Sequence, residues 1–201
     1  MSGDAVSAEP QAVEIVPVSV ETLRADTNGR TVREMAELAY HAFREPPWCD
    51  DCERPRLHFG IGVDLMRHHA LALIARSSGS NRTVGYVLGY EVVREGEGPR
   101  QSTLADIAGT DALYRFLPAA ARVFYVDTLC VDPRFRRQHI AERLYRSLND
   151  RLRREGFDFH INRTHVAAYA ARRLCAKLDF KELPVPDRTF PDRTYWLLGL
   201  S

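Results

Sequence analysis

The sequence predicts an α/β domain built around a mixed sheet, and two observations carry that prediction. Runs rich in β-branched and aromatic residues alternate with segments whose apolar residues recur at helical spacing. The elements follow one another as strand, helix, helix, three strands, helix, strand, helix, strand. Bulk composition agrees. A chain of 201 residues, 45 % apolar and 27 % charged, is of ordinary globular make-up and long enough to bury a core without metal or disulfide staples. Collagen-like, low-complexity and largely disordered chains are excluded. Residues 1–11 are small and polar and are expected to form a disordered tail, leaving residues 12–201 as one domain.

Ala12 to Val20 is dense in β-branched residues and reads as a strand, with Pro17 placing it at a sheet edge or a bulge. Val32, Met35, Ala36, Ala39, Tyr40 and Phe43 fall at helical spacing, and Pro46-Pro47 ends that helix. A loop through Pro55 carries Asp50, Asp51 and Glu53. A second, short helix is expected over residues 59–69. A buried strand from Ala70 to Ala75 follows, then turn chemistry at Ser77 to Asn81 and a hairpin partner from Thr83 to Val93. Residues 94–121 form a long connection with a short helix near Asp111 to Leu117. Val123 to Val131 is a strand that Asp132-Pro133 breaks. Ile140, Leu144, Leu148 and Leu152 then recur at four-residue steps, with Arg143, Arg146, Arg153 and Arg154 on the other face, until Gly156 ends the helix. Phe157 to Asn162 reads as a strand, Val166 to Leu178 as a helix, and Thr194 to Leu200 as the last strand.

The formal net charge is +1, so no whole-protein field draws the chain to nucleic acid or membrane. The longest clean apolar run, Ala70 to Ala75, is too short to span a bilayer. The first twenty residues lack the basic start and apolar core of a secretory signal. The expectation is a cytoplasmic protein whose four cysteines are reduced thiols. Cys49 and Cys52 form a C-x-x-C, but no second pair completes a zinc set, and His58, His68 or His69 could join it only through the fold; no metal is expected. The charge is locally uneven. Residues 1–60 carry 11 acids against 6 Arg, and residues 134–155 carry 8 Arg against Glu142, Asp150 and Glu155. A cationic block on a near-neutral chain points to one anionic ligand rather than a long polyanion. Arginines interleaved with acids, without an aromatic–basic pattern, argue against nucleic-acid binding.

The chemistry concentrates in Leu129 to Leu144, L-C-V-D-P-R-F-R-R-Q-H-I-A-E-R-L. A strand ends, an Arg-rich loop turns, and a helix begins at once. The first N–H groups of a helix have no internal partner, and with the helix dipole they make an anion site. Arg136, Arg137 and Gln138 add donors, and the guanidinium fork matches phosphate geometry. The physical reading is a phosphate or pyrophosphate held over this helix start; the alternative is a solvated basic turn.

This segment resembles the acetyl-CoA-binding motif of the GNAT acyltransferase superfamily, a strand ending in L-x-V-x-P and then [Q/R]-x-x-G-x-[G/A]. Leu129, Val131 and Pro133 match the first part, and Arg136, Ile140 and Ala141 the second. Ala171 to Phe180, A-R-R-L-C-A-K-L-D-F, has the shape of the family's next helix. The resemblance covers residues 12–200 and implies a mostly antiparallel central sheet flanked by helices. It implies an N-acetyltransferase that carries an acetyl group from acetyl-CoA to a primary amine, small-molecule or peptide, by direct attack on the thioester. Leu129, Cys130 and Val131 would polarise the thioester carbonyl through their N–H groups, and Arg136, Arg137, Gln138, His139, Ile140 and Ala141 would hold the cofactor. Asp127 stands where the family often places an acidic base, with Glu91 as the other candidate. The resemblance is silent on the acceptor and leaves the oligomeric state open, a homodimer included.

Two positions depart from the pattern. His139 replaces the central Gly; helical φ needs no Gly, so the amides are expected to keep facing the ligand, with His139 crowding the site or adding a donor. Cys175 stands where many members carry a Tyr thought to protonate the departing thiolate, and Asp179 replaces a Gly that Asp can replace in a left-handed helix end. These departures keep alive a second reading, a degenerate module that binds CoA without turnover. On the acceptor side, residues 44–58 and 94–121 would flank the acyl group, with Asp50, Asp51 and Glu53 favouring a cationic amine and Trp48 and His58 lining a pocket or closing the core.

Overall fold

The computed structural model describes residues 12–19, 22–23, 26–49, 51–96, 98 and 100–201. The expected disordered tail, the end of the first expected strand at Val20, and Asp50 lie outside them. Seven strands form one sheet in the order β1-β2-β3-β4-β5-β7-β6. They are β1 (Val13–Val18), β2 (Leu71–Ser77), β3 (Thr83–Val92), β4 (Val123–Val131), β5 (Phe159–His165), β6 (Lys181–Leu183) and β7 (Arg193–Gly199). Every neighbouring pair is antiparallel except β4 and β5. The helices are α1 (Arg30–Arg44), α2 (Arg54–Asp64), α3 (Leu104–Ala108), α4 (Ile140–Arg154) and α5 (Tyr169–Lys177), with 3₁₀ turns at Asp111–Phe116 and Pro133–Phe135.

Alternation along the strands builds the two faces. On β2, Leu71, Leu73 and Ala75 pack with Ile140, Leu144 and Leu148 of α4 and with Cys175 of α5. Ala72 and Ile74 pack on the opposite face with Met35, Ala36 and Ala39 of α1. A third cluster joins Tyr90 and Val92 of β3 and Tyr125 of β4 to Leu104 and Ala108 of α3. Each large apolar side chain buried this way contributes about 1.5–3 kcal/mol. Pro17 sits in β1 at the sheet edge, where its missing N–H breaks no ladder.

The structure departs from the sequence expectation in both element limits and element number. The second helix lies at Arg54–Asp64 rather than 59–69, because Pro55 occupies its first turn, where a missing N–H costs nothing. Helix α3 was not expected; Thr103 and Asp106 form a capping box, each side chain accepting from the other's backbone N–H at 3.1 and 2.9 Å. β5 runs on to His165 because β7 pairs with it that far, so α5 starts only at Tyr169. β6 was also not expected: three residues on the outer side of β7 are too few to display an alternation.

The sheet is tightest at Gly89. A Cβ there would stand 2.3 Å from the Tyr125 carbonyl oxygen and 2.5 Å from Phe124 Cε1. Gly89→Ala is therefore expected to cost roughly 1–3 kcal/mol in denaturant unfolding. Gly79→Ala, in a turn with nothing within 4 Å of the added carbon, should stay within about 0.5 kcal/mol of wild type.

Candidate active site

β4 and β5 are hydrogen-bonded from Val123↔Phe159 to Val126↔Asn162 and then part. β5 continues against β7, while β4 stays on β3. At the parting point the β3–β4 register shifts: Leu88 faces Thr128 and Gly89 faces Val126, which leaves Asp127 as the extra residue of a bulge. A bulge bends the strand and re-aims a side chain. Asp127 is accordingly exposed in a strand whose first four residues are buried, and its carboxylate accepts from the Thr128 hydroxyl at 2.9 Å. Gly89, opposite the bulge, has no side chain to obstruct this approach.

On the α4 side of the parted strands lies a groove of about 730 Å³. Leu129, Cys130 and Val131 of β4 form one wall, Arg136, Arg137, His139, Ile140 and Ala141 the floor, and Ala167, Ala171 and Lys177 the other wall. Gln138 is half-buried and does not line it. The loop conformation overturns one expectation. His139 is not helical: it takes the left-handed conformation, φ 58° and ψ 16°, and Arg137 does so too at φ 62°. The Gly that the motif carries at the His139 position would adopt that φ without strain, whereas His bears a cost of about 1–2 kcal/mol. Left-handed residues on either side of Gln138 make the loop turn sharply into the start of α4. No side chain caps the first turn of α4, so its amides remain available to an anion. Asp179 takes the left-handed turn expected of it, φ 64°.

The groove's cations are held by the protein's own carboxylates. Arg136 Nη1 lies 2.7 Å from Glu45 Oε2. Glu142, in the first turn of α4, meets Lys177 at 2.6 Å, Arg146 at 3.0 Å and His139 at 3.1 Å. Hydrogen bonds from these three, Lys177 foremost, pull the Glu142 carboxyl down to about 2. Among the described residues Arg137 has no such partner.

On the opposite side of the sheet a pocket of about 610 Å³ opens between α1, α2 and the segment before β7. Its polar lining includes Asp64, Tyr86, Asp127 and Thr128, and its aromatic lining Phe43, Trp48, Phe59 and Phe190. A cavity of about 60 Å³ joins pocket to groove through the parted strands. It shares Trp48, Leu129, Ala171 and Leu174 with the groove, and Phe43, Trp48, Asp127 and Arg163 with the pocket. Cys175 lines only this joining cavity. It is 1 % exposed, its thiol meets the Asn162 amide at 3.6–3.7 Å, and burial pushes that thiol up to about 11.

Asp64 was missed in the sequence, where it is a lone acid in an apolar stretch. Burial, and then the nearby Asp127 carboxylate, lift it to about 6, although Arg67 Nε donates to it at 2.8 Å. Residues 94–121 contribute nothing to the pocket among the described residues; Phe190 and Arg193 stand there instead. Among the described acids of the loop, Asp51 lines it and Glu53 does not, and His58 is exposed outside it. Trp48 does line it, with Arg193 stacked 4.6 Å from its ring centre. Glu91, the other candidate base, is gripped by Arg122 at 3.0 Å and lines none of these three spaces.

A family model described as the acetyltransferase (GNAT) family matches residues 32–180. A comparison with curated protein sequences finds no match. Among solved structures, the chain resembles the NatC complex bound to Gag peptide and CoA, at 16 % identity, TM-score 0.63, and coverage of 94 % of this chain and 99 % of that one. It resembles Arabidopsis thaliana NAA60 in complex with acetyl-CoA at 12 % identity and TM-score 0.61, covering 94 % and 98 %. A GNAT-family acetyltransferase from Staphylococcus aureus gives 11 % identity and TM-score 0.63, covering 94 % and 100 %. At such identities the likeness establishes the fold. The family's co-substrate is acetyl-CoA, and the left-handed loop and uncapped helix start of the groove fit its pyrophosphate. With the family model spanning most of the chain and the parted parallel strands in place, this protein belongs to the GNAT acetyltransferase family.

Proposed function

We propose that this chain transfers the acetyl group of acetyl-CoA to a primary amine by direct attack. One observation carries the reading: the anion-binding groove and the carboxylate-floored pocket meet through the opening at the β4 bulge. Acetyl-CoA supplies the thioester carbonyl at that meeting point. Asp127 takes the proton that an ammonium must lose before its nitrogen can form the N–C bond. The N–H groups of Leu129 and Val131, which face the opened side of β4 while that of Cys130 faces β3, serve the carbonyl oxygen as charge builds on it. The C–S bond breaks as the N–C bond forms, and the thiolate takes up a proton. Cys175 is close enough to the passage to give one, but its thiol is tied to Asn162. A CoA thiolate is a tolerable leaving group near neutral pH, so Cys175→Ala is expected to change turnover by less than about tenfold in a thiol-release assay.

The groove reading is tested by melting temperature. Acetyl-CoA and desulfo-CoA should both raise it, since the grip is on the phosphates. Arg136→Glu combined with Arg137→Glu should abolish the shift. Absence of any shift in wild type at millimolar ligand would contradict the reading.

The base is tested by rate. Asp127→Asn should lower kcat by about 10²–10⁴-fold while leaving acetyl-CoA affinity intact. Because the Asp64 carboxyl sits near 6, the floor gains a proton as pH drops through that value. The kcat/KM for the amine should therefore fall below about pH 6, and Asp64→Asn should remove that inflection.

A further inference from the structure

The acceptor pocket carries enough chemistry to name its ligand class, an inference that rests on the acetyl-transfer reading. We propose that the acceptor is a cationic amine borne on a flat apolar body without a carboxylate, an arylalkylamine in chemical class.

The floor sets the charge. Asp64 and Asp127 line the same end of the pocket. The Asp127 carboxylate accepts from the Thr128 hydroxyl, and Asp64 shares its charge with Arg67. Of the three arginines that line the pocket, Arg163 pairs with Asp187 at 3.0 Å and Arg193 with Asp192 at 3.0 Å, while Arg56 is exposed. The balance at the floor is therefore anionic. The Tyr86 hydroxyl lies there as well, fully buried beside the Thr128 hydroxyl and the Cys130 thiol. A phenol oxygen has two acceptor lone pairs, so it can still take an incoming N–H. Two carboxylates and one phenol oxygen can together accept the three N–H bonds of a primary ammonium.

The walls set the body. Trp48 forms one side, held edge-on by Phe43 at 5.6 Å. Phe59 and Phe190, 72 % and 45 % exposed, stand in the lining although side chains of this kind are usually covered. An aromatic body entering between them covers this surface. A polyamine would bring further charges against walls where the Arg193 guanidinium already lies over Trp48 and Phe190, and an α-amino acid would set its carboxylate beside Asp64 and Asp127.

The test is a thiol-release assay on the full chain with phenethylamine, tryptamine, spermidine, phenylalanine and a short peptide with a free aromatic N-terminus. Phenethylamine and tryptamine should exceed each of the others in kcat/KM by about tenfold or more, the scale of one well-matched pocket contact. Phe59→Ala, at an exposed position that folding tolerates, should raise KM for phenethylamine with little change in kcat. Asp64→Asn should raise it too, with Asp64→Glu restoring part of the loss. Preference for spermidine, phenylalanine or the peptide would overturn the ligand class while leaving acetyl transfer standing. If no amine releases thiol, acetyl transfer itself fails, and calorimetry of phenethylamine with the CoA-saturated protein decides the pocket separately. Binding that Asp64→Asn weakens supports the class, and no binding at millimolar amine overturns it.

Discussion

The site depends on one interruption in an otherwise continuous sheet. β4 and β5 hold together through Val126 and Asn162 and then separate, because β5 follows β7 while β4 gains an extra residue at Asp127. A sheet with unbroken pairing would seal its two faces from one another. Here the separation leaves a passage between the α4 groove and the α1–α2 pocket, and Asp127 stands in it. The bulge needs room on β3, and Gly89 provides it: any side chain there would collide with the Tyr125 carbonyl. Packing around one glycine and the direction of one carboxylate are thus parts of the same constraint.

Backbone geometry suits the groove to an anion as much as charge does. Its arginine and lysine side chains are largely occupied by Glu45 and Glu142. A phosphate must compete with those carboxylates, whereas the amides at the start of α4 have no internal rival. This division explains how His139 is tolerated where the motif has Gly. The residue keeps the left-handed turn and offsets part of its strain through contact with Glu142. It also places an imidazole at the mouth of the groove instead of an open backbone.

Much of the fold was legible in residue periodicity. The apolar steps of α4 and the β-branched run of β4 give both elements with their correct limits, since each is long and packs one clear face. Short pieces were harder. α3 announces itself only through Thr103 and Asp106, and β6 exists because β7 offers it an edge. In the site, the groove residues were legible because strand, loop and helix are contiguous there. The pocket across the sheet was legible only in part, through Trp48, Asp51 and Asp127. Asp64, Tyr86 and Asp127 come from three separate elements and Phe190 from the loop before β7, and no local pattern brings them together. Likewise the left-handed φ at His139 follows from how the loop must curl into α4, and a Gly-to-His change in the motif conceals it.

The through-sheet passage is tested most directly by amide NMR of the full chain, comparing the map with acetyl-CoA against the map with CoA. Both ligands should shift the resonances of residues 136–141. The difference between the two maps, which isolates the acetyl group, should concentrate at Asp127 to Leu129, Asn162 and Cys175, the walls of the joining cavity. Acetyl-dependent shifts that spare those residues and appear along β1 and β2 would place the reacting carbon elsewhere and contradict a reaction at the opening between β4 and β5.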